Sequence, residues 1–350
     1  MSKEIGIKEI AELAGVSIGT VDRVIHGRPG VSKKTAELIH SVIQKTGYKK
    51  NNAASRLKLA RSKTIRIVVL FPIECRLSDN YWSLPLSGIQ KAVDELKDFG
   101  ITYSLLTFKM SNEKSFEEQI QFLLERNFDA IIAVPYFYSH SQTLLKKAAK
   151  KQMKVVFIDT KQSFKETHYT IHQNSLKSGA VAGRLLYQVV GDMGTYLVVN
   201  LMNNLGTIQP NMKDREAGFR SFFDMRISSA KENIHSVVST SKNLSLVRKK
   251  VMDLIDLKKP IGIFVTNSRV HMLSLALEGL PTENIIIVGY DLNEKNKVLL
   301  KEEKIHFLLN QQPEWQGYNA AKGIFKLLTE RDVSALQLEI PVEVFVRENI

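Results

Sequence analysis

The sequence predicts an α/β chain of two parallel-sheet lobes behind an all-α helix-turn-helix N-terminal domain, and three observations carry the prediction. From Thr64 onward, short β-branched runs alternate with amphipathic helical stretches, the pattern of parallel strands covered by helices on both faces. That region holds roughly 290 residues, long for a single sheet, so two lobes are expected. Ahead of it, two short helical patterns meet at Ala14-Gly15-Val16-Ser17, the tight joint of a helix-turn-helix.

In the first helix, Ile7, Ile10, Leu13 and Ala14 recur at helical spacing and define an apolar face. Gly15 can take the positive φ that ends this helix, and Ser17 can cap the next. Val21 and Val24 turn the second helix's stripe back towards the first. A third helix is expected from a cap at Ser32 through Leu38, Ile39, Val42 and Ile43 to a stop at Gly47. Such a pair of helices places the second in the DNA major groove. Charge separates this reading from a plain helical bundle. Residues 1–63 hold thirteen basic and five acidic side chains, eight of the chain's net +13 charges. That density supplies the phosphate attraction on which DNA affinity rests.

A polar and basic stretch from Tyr48 to Ser62 follows. Within it Ala53–Ala60 can form about two helical turns, too few to be stable alone. Such a segment folds on DNA or against a dimer mate. Leu57 is then either an apolar wedge between base pairs of the minor groove or an incidental leucine in a flexible linker. The residue pattern leaves both open.

The run Ile-Ala-x-x-Ala-Gly-Val-Ser-x-x-Thr-Val-x-Arg-Val over Ile10–Val24, followed by Gly47-Tyr48, an Asn-rich step and Ala53-Ala54-x-x-Leu57, resembles the LacI/GalR (lactose-repressor) family. The resemblance implies a dimeric, ligand-controlled transcription regulator on a pseudo-palindromic double-stranded DNA operator. It further implies that Ser17, Ile18, Gly19, Thr20 and Arg23 of the second helix, with Asn51, Ala54 and the intercalating Leu57 of the hinge, meet the DNA. Two residues depart from the family's pattern: Asp22 stands where Ser is usual, and Lys50 where Pro is usual. A carboxylate repels phosphates, so Asp22 either pairs with a neighbouring basic group or reads a cytosine amino group. Gly19 offers no side chain and Ile18 only a thymine-methyl contact, so readout rests on Arg23 and on DNA deformability.

The organisation expected is a DNA-binding domain over 1–50, a hinge over 51–63 and a ligand-binding and dimerisation domain over 64–350. Its strands are expected at Ile65–Phe71, Ala130–Val134, Val155–Ile158, Tyr196–Val199, Ile261–Val265 and Ile285–Val288. Lobe 1 is expected over about 64–170 plus 305–330, with the strand Ile305–Asn310 and the helix Glu314–Thr329 returning to it. Lobe 2 is expected over about 171–304 plus the C-terminal strand.

Ligands of doubly wound folds bind outside the carboxyl ends of the strands. The residues there are Tyr136, Phe137, Asp159, Asn174, Asn267, Ser268, Asp291 and Gln311. Carboxylates and amides take hydroxyls while rings cover C–H faces, which suits a sugar or polyol; Tyr81 and Trp82 supply a wall. Any one of these Asp or Asn residues reads equally as a helix cap. The set, with a tyrosine and a tryptophan on the same rim, reads as a binding site.

This part of the chain resembles ribose-type periplasmic binding proteins, on Arg215-Glu-Ala-Gly-Phe219, Val288-Gly-Tyr-Asp291, Phe157-Ile-Asp159 and Gln311-x-Pro-x-x-x-Gly317. By that resemblance Arg215, Asp291, Asp159 and Gln311 contact the ligand, with Asn267. The family's Asn-Asp is here Asn267-Ser268, and the missing carboxylate leaves the ligand open. A nucleoside, nucleobase or amino acid is the alternative, since Tyr81, Trp82 and Tyr136 would stack on a base. A further alternative is an architectural DNA-binding dimer that senses nothing.

Other classes are set aside. The single Cys75 excludes intrachain disulfides and suits a reducing compartment. The N-terminus lacks a secretory signal and no run approaches the roughly 20 apolar residues of a membrane span, so a cytoplasmic protein without a membrane partner is expected. No G-x-G-x-x-G follows a strand and no Walker loop is present, so neither catalytic residues nor a cofactor are expected. His168 and His172 share a face without enough further ligands for a metal. The strand-like Pro341–Ile350 carries no helical heptads, so the expected assembly is a homodimer.

Overall fold

The computed structural model describes residues 6–25, 28–46, 64–78, 80–202, 208–224 and 233–350. They belong to two compact units, Met1–Lys63 and Thr64–Ile350.

In the first unit, α1 (Ile7–Ala14), α2 (Ile18–Ile25) and α3 (Lys33–Thr46) pack around Ile10, Ala11, Ala14, Val21 and Ile39. Local chemistry sets the ends. Gly15 ends α1 at φ 62°, where an L side chain would be strained. The Ser17 hydroxyl accepts from the Thr20 N–H at 3.1 Å, and that of Ser32 from the Thr35 N–H at 3.2 Å. Leu13 departs from expectation: it is 62% exposed, and Ala11 takes its place in the core. At about 100° per residue, Leu13 falls beyond the arc spanned by Ile10, Ala14 and Ala11. The expected stop at Gly47 and the hinge residues Asn51, Ala54 and Leu57 lie outside the described residues.

The second unit holds two six-stranded sheets. The first comprises β1 (Ile65–Pro72), β2 (Ile101–Phe108), β3 (Ala130–Ala133), β4 (Lys154–Asp159), β5 (Tyr169–Gln173) and β11 (Gln337–Ile340), in the order β11-β5-β4-β3-β1-β2. The second comprises β6 (Thr195–Met202), β7 (Ile234–Thr240), β8 (Ile261–Val265), β9 (Ile285–Tyr290), β10 (Phe307–Asn310) and β12 (Glu343–Phe345), in the order β12-β10-β9-β8-β6-β7. Every pairing is parallel except β10 with β12. Both sheets repeat one doubly wound order, which puts the strands' carboxyl ends at a common rim. The central strands β3 and β8 are buried throughout, as their uninterrupted apolar runs require.

The segment 305–310 was expected in the first lobe, but β10 pairs with β9 and β12 in the second. Its Leu308 and Leu309 complete the two cores flanking that sheet, and parallel pairing with β9 satisfies its backbone. Only the helix after it, Pro313–Glu330, packs with the first lobe, through Ala320, Ala321, Ile324 and Phe325. Likewise the first sheet extends past residue 170 through β5 and gains β11. The chain therefore passes between lobes after Gln173, after Asn310 and at Ile340-Pro341.

The intervening helices of the first lobe are α4 (Ser83–Leu96), α5 (Glu113–Leu124) and α6 (Tyr138–Lys150). Those of the second are α7 (Ser175–Val190), α8 (Pro210–Asp224), α9 (Leu244–Met252), α10 (Val270–Ala276) and α11 (Glu294–Lys301), and Pro313–Glu330 is α12. Helices α4 and α12 touch backbone to backbone. A Cβ at Gly317 would lie 1.9 Å from the Pro85 carbonyl oxygen, and one at Gly88 1.9 Å from that of Glu314. Backbone cannot give way as a flexible side chain can, so Gly317→Ala is expected to cost about 1–3 kcal/mol in urea denaturation. An unchanged midpoint would show that the helices can slide. This contact fixes the start of α12, where the next part of the site is anchored.

Candidate functional site

Two aspartates stand at equivalent ends of the two sheets: Asp159 closes β4, and Asp291 follows β9. Both adopt left-handed backbone, with φ 71° and 68°. Such conformations cost a non-glycine residue free energy and concentrate at functional sites.

Asp159 accepts hydrogen bonds from the Tyr81 hydroxyl at 2.5 Å, Thr160 Oγ1 at 2.7 Å and Asn211 Nδ2 at 3.4 Å. Asn211 lies on α8, so this last bond crosses between lobes. The backbone N–H of Asp159 donates to Gln316 Oε1 at 2.8 Å, and Gln316 Nε2 donates to the Gln311 carbonyl at 2.8 Å. Gln311 then reaches into the second lobe. Its Nε2 donates to both Asp291 oxygens at 3.1 and 3.3 Å, and its Oε1 accepts from Arg215 Nη2 at 2.9 Å. Arg215 Nη1 donates to the Thr266 carbonyl at 2.7 Å, and the guanidinium lies 3.8 Å from the Tyr290 ring centre. Asp159, Arg215, Asp291, Gln311 and Gln316 are all buried. One continuous polar network thus joins the two strand ends through the crossing at Gln311.

Burial pushes the Asp291 carboxyl up to about 7; Arg215 and the Gln311 hydrogen bond oppose the shift, and Asp159 adds to it. Burial, then the charges of Asp159 and Asp291, hold the Tyr81 phenol well above its ordinary value, so it serves as a donor. Two buried polar atoms among these residues have no partner, Arg215 Nε and Asn211 Oδ1. Buried polar atoms are rarely left so, which leaves one donor and one acceptor for a bound molecule.

Of the residues singled out from sequence, Tyr81, Asp159, Arg215, Asp291 and Gln311 meet in this network. Trp82 does not. Its ring packs edge-on against Tyr81 at 4.9 Å and against Phe71 at 6.3 Å, on the first-lobe core. Tyr136 lies against Phe108 and Phe137. Asn267 serves its own lobe, donating to the Leu201 carbonyl at 2.7 Å and accepting from the Arg269 N–H at 3.1 Å. Asn174 caps α7 through the Lys177 N–H. Asn211 and Gln316 were not anticipated, because they lie on helices rather than just past strands. Arg269 is two residues beyond Asn267 and was within reach of the strand-end rule.

On the head, Ser17, Ile18, Gly19 and Arg23 are exposed and Thr20 partly so. Asp22 pairs with Arg28 at 3.0 Å, which decides between its two readings in favour of a neighbouring base. Among the described residues no group of three or more His, Cys, Asp or Glu could hold a metal, and no helix is long and apolar enough to cross a membrane.

Residues 73–332 match the family model of the periplasmic binding protein domain, and residues 6–51 that of bacterial regulatory proteins, lacI family. The ribose operon repressor of Lactococcus lactis is 21% identical over an alignment covering 98% of this chain and 97% of that protein. The sucrose operon repressor of Streptococcus mutans is 24% identical, covering 81% and 82%. Among solved structures, a Bacteroides fragilis chain assigned to the LacI transcriptional regulators superposes with a TM-score of 0.72 at 25% identity, covering 82% of this chain and 98% of that one.

Proposed function

This chain belongs to the periplasmic binding protein domain family and carries a lacI-family DNA-binding domain, and we propose that it is a transcriptional repressor, not an enzyme, whose operator affinity is set by a sugar or polyol bound between its lobes. The observation that carries the reading is the buried network from Asp159 through Gln311 to Asp291 and Arg215. It alternates acceptors and donors across the junction of two lobes, as polyhydroxylated ligands require. The relatives named for ribose and sucrose operons support the sugar class. A nucleobase is less favoured, because the Tyr81 and Trp82 rings are packed on each other at 80° and offer no open parallel slot.

A clamp that buries its ligand only when closed shifts its own population by the difference in affinity between states. In a homodimer acting in the cytoplasm on a pseudo-palindromic operator, closure would alter the spacing of the paired hinges. Hinge helices that fold only together amplify a small shift into loss or gain of operator binding. Moving from nearly all bound to nearly all free takes about 5.5 kcal/mol, roughly half from each of two ligands.

Thermal shift across monosaccharides, disaccharides, sugar phosphates, polyols, nucleosides and amino acids tests the ligand class. A hundredfold excess over Kd contributes about 2.7 kcal/mol, visible as several degrees. A response to nucleosides alone would overturn the sugar reading. For the hinge, Leu57→Ala is expected to weaken specific DNA binding by tenfold or more, about 1.4 kcal/mol, and non-specific binding hardly at all. Equal losses on the two DNAs, measured by fluorescence anisotropy, would sink the wedge.

A further inference from the structure

The network around Asp159 and Asp291 fills only the part of the cleft nearest the crossings. Moving outward, the first sheet runs β5, β4, β3, β1 and the second β10, β9, β8, β6. Each strand adds about 4.8 Å. Residues that follow β3, β1 and β8 therefore lie one or two strands further from the crossings than Asp159 and Asp291. They include Tyr136, Glu74 and Arg269.

Glu74 sits on the turn Ile73–Arg76 directly after β1, and its Oε2 is buried without a hydrogen-bond partner. Arg269 is held from behind. Its backbone N–H donates to Asn267 Oδ1 at 3.1 Å, and Nη1 donates to the Leu201 carbonyl at 3.2 Å, on the far side of β8 from β9. A guanidinium has five N–H donors, so this anchoring leaves the fork available. Burial pulls the Arg269 pKa below its ordinary value, while Tyr136 and Glu74, both of the first lobe, raise it. The tyrosine and the carboxylate thus stand near the cation from across the cleft.

We propose that Glu74, Tyr136 and Arg269 form an outer subsite for the second ring of a neutral disaccharide, whose first ring lies against Asp159, Arg215 and Asp291. This inference rests on the sugar reading above. One or two strand spacings outward is about the offset of a neighbouring hexose ring. The glutamate and arginine charges cancel, so the subsite favours no net charge. An acceptor facing a donor fork suits vicinal hydroxyls, and the Tyr136 ring suits a C–H face. A buried carboxylate oxygen without a partner requires a donor, which a hydroxyl supplies and a phosphate group does not. A phosphorylated sugar would gain Arg269 but meet the charge of Glu74.

The test is isothermal titration of the full chain with maltose, cellobiose and sucrose, against glucose, fructose and glucose 6-phosphate. Wild type, Arg269→Met and Glu74→Gln are compared, each checked for folding by its melt without sugar. At least one disaccharide is expected to bind about tenfold or more tighter than its component monosaccharides and than glucose 6-phosphate. Either substitution should remove that advantage while changing monosaccharide Kd less than about twofold. If Arg269→Met fails to fold, the isosteric Glu74→Gln decides. A monosaccharide or glucose 6-phosphate that binds as tightly as every disaccharide overturns the subsite and leaves the sugar reading standing. So do variants that lose mono- and disaccharide affinity equally. Binding of none of these sugars overturns both.

Discussion

Asp291→Asn is expected to abolish the response to ligand while leaving DNA affinity without ligand unchanged. The substitution keeps the shape of the side chain and a polar partner for Gln311, but it removes the charge that faces Arg215. A hydrogen bond to a charged group is worth about 1.5–3 kcal/mol, so ligand Kd should rise about 10- to 100-fold by calorimetry. The same variant carries a pH signature. Asp291 titrates at about 7 in the folded chain against an ordinary value of 3.8. The folded state thus holds a proton that the unfolded chain releases, and stability from this group is lost as pH rises through that window. Asparagine does not titrate. The melting temperature of Asp291→Asn should therefore gain on wild type between about pH 5 and about pH 8. A flat difference curve would mean that Asp291 is ionised throughout.

The second large effect is expected of Arg215→Met. The guanidinium is 2% exposed, bonds Thr266 and Gln311, and lies over Tyr290. Removing one partner of a buried charged set costs about 3–5 kcal/mol when the other charge remains. Here the other charge has an outlet, because Asp291 already titrates near neutrality and rises further without Arg215. The loss measured by urea denaturation should therefore be largest at about pH 8 and smaller at about pH 5, where Asp291 is neutral in both proteins. A loss independent of pH would assign Arg215 to packing on Tyr290 alone. Ligand response should disappear at either pH.

The strands read from sequence were those whose environment is simplest. Ala130-Ile-Ile-Ala and Ile261-Gly-Ile-Phe-Val are buried on both faces, so every residue must be apolar. The runs Ile101–Phe108 and Ile234–Thr240 escaped notice because they are edge strands with polar residues on one face. The lobe assignment of 305–310 failed for a related reason: Phe307-Leu308-Leu309 states that a strand exists but not which sheet it joins. That choice is made by an open ladder on β9, a long-range property.

At the site, Asp159, Asp291 and Gln311 were legible because the ends of parallel strands are places a chain can be searched. Gln316 was not, since a glutamine one turn into a helix looks like solvent-facing polarity. Burial of that turn follows from the close approach of Gly317 to Pro85 across two helices distant in sequence. Asn267 shows the converse. It stands at a strand end as expected, yet its amide is spent on Leu201 and Arg269.

The most direct test joins the two halves of the molecule. DNA selected by the full chain from a randomised pool is titrated by fluorescence anisotropy, with and without a saturating concentration of the sugar found by thermal shift. The account predicts a change in DNA affinity of about fivefold or more, the low end of allosteric coupling, and none in Asp291→Asn. A sugar that binds the wild-type chain yet leaves its DNA affinity unchanged would contradict it.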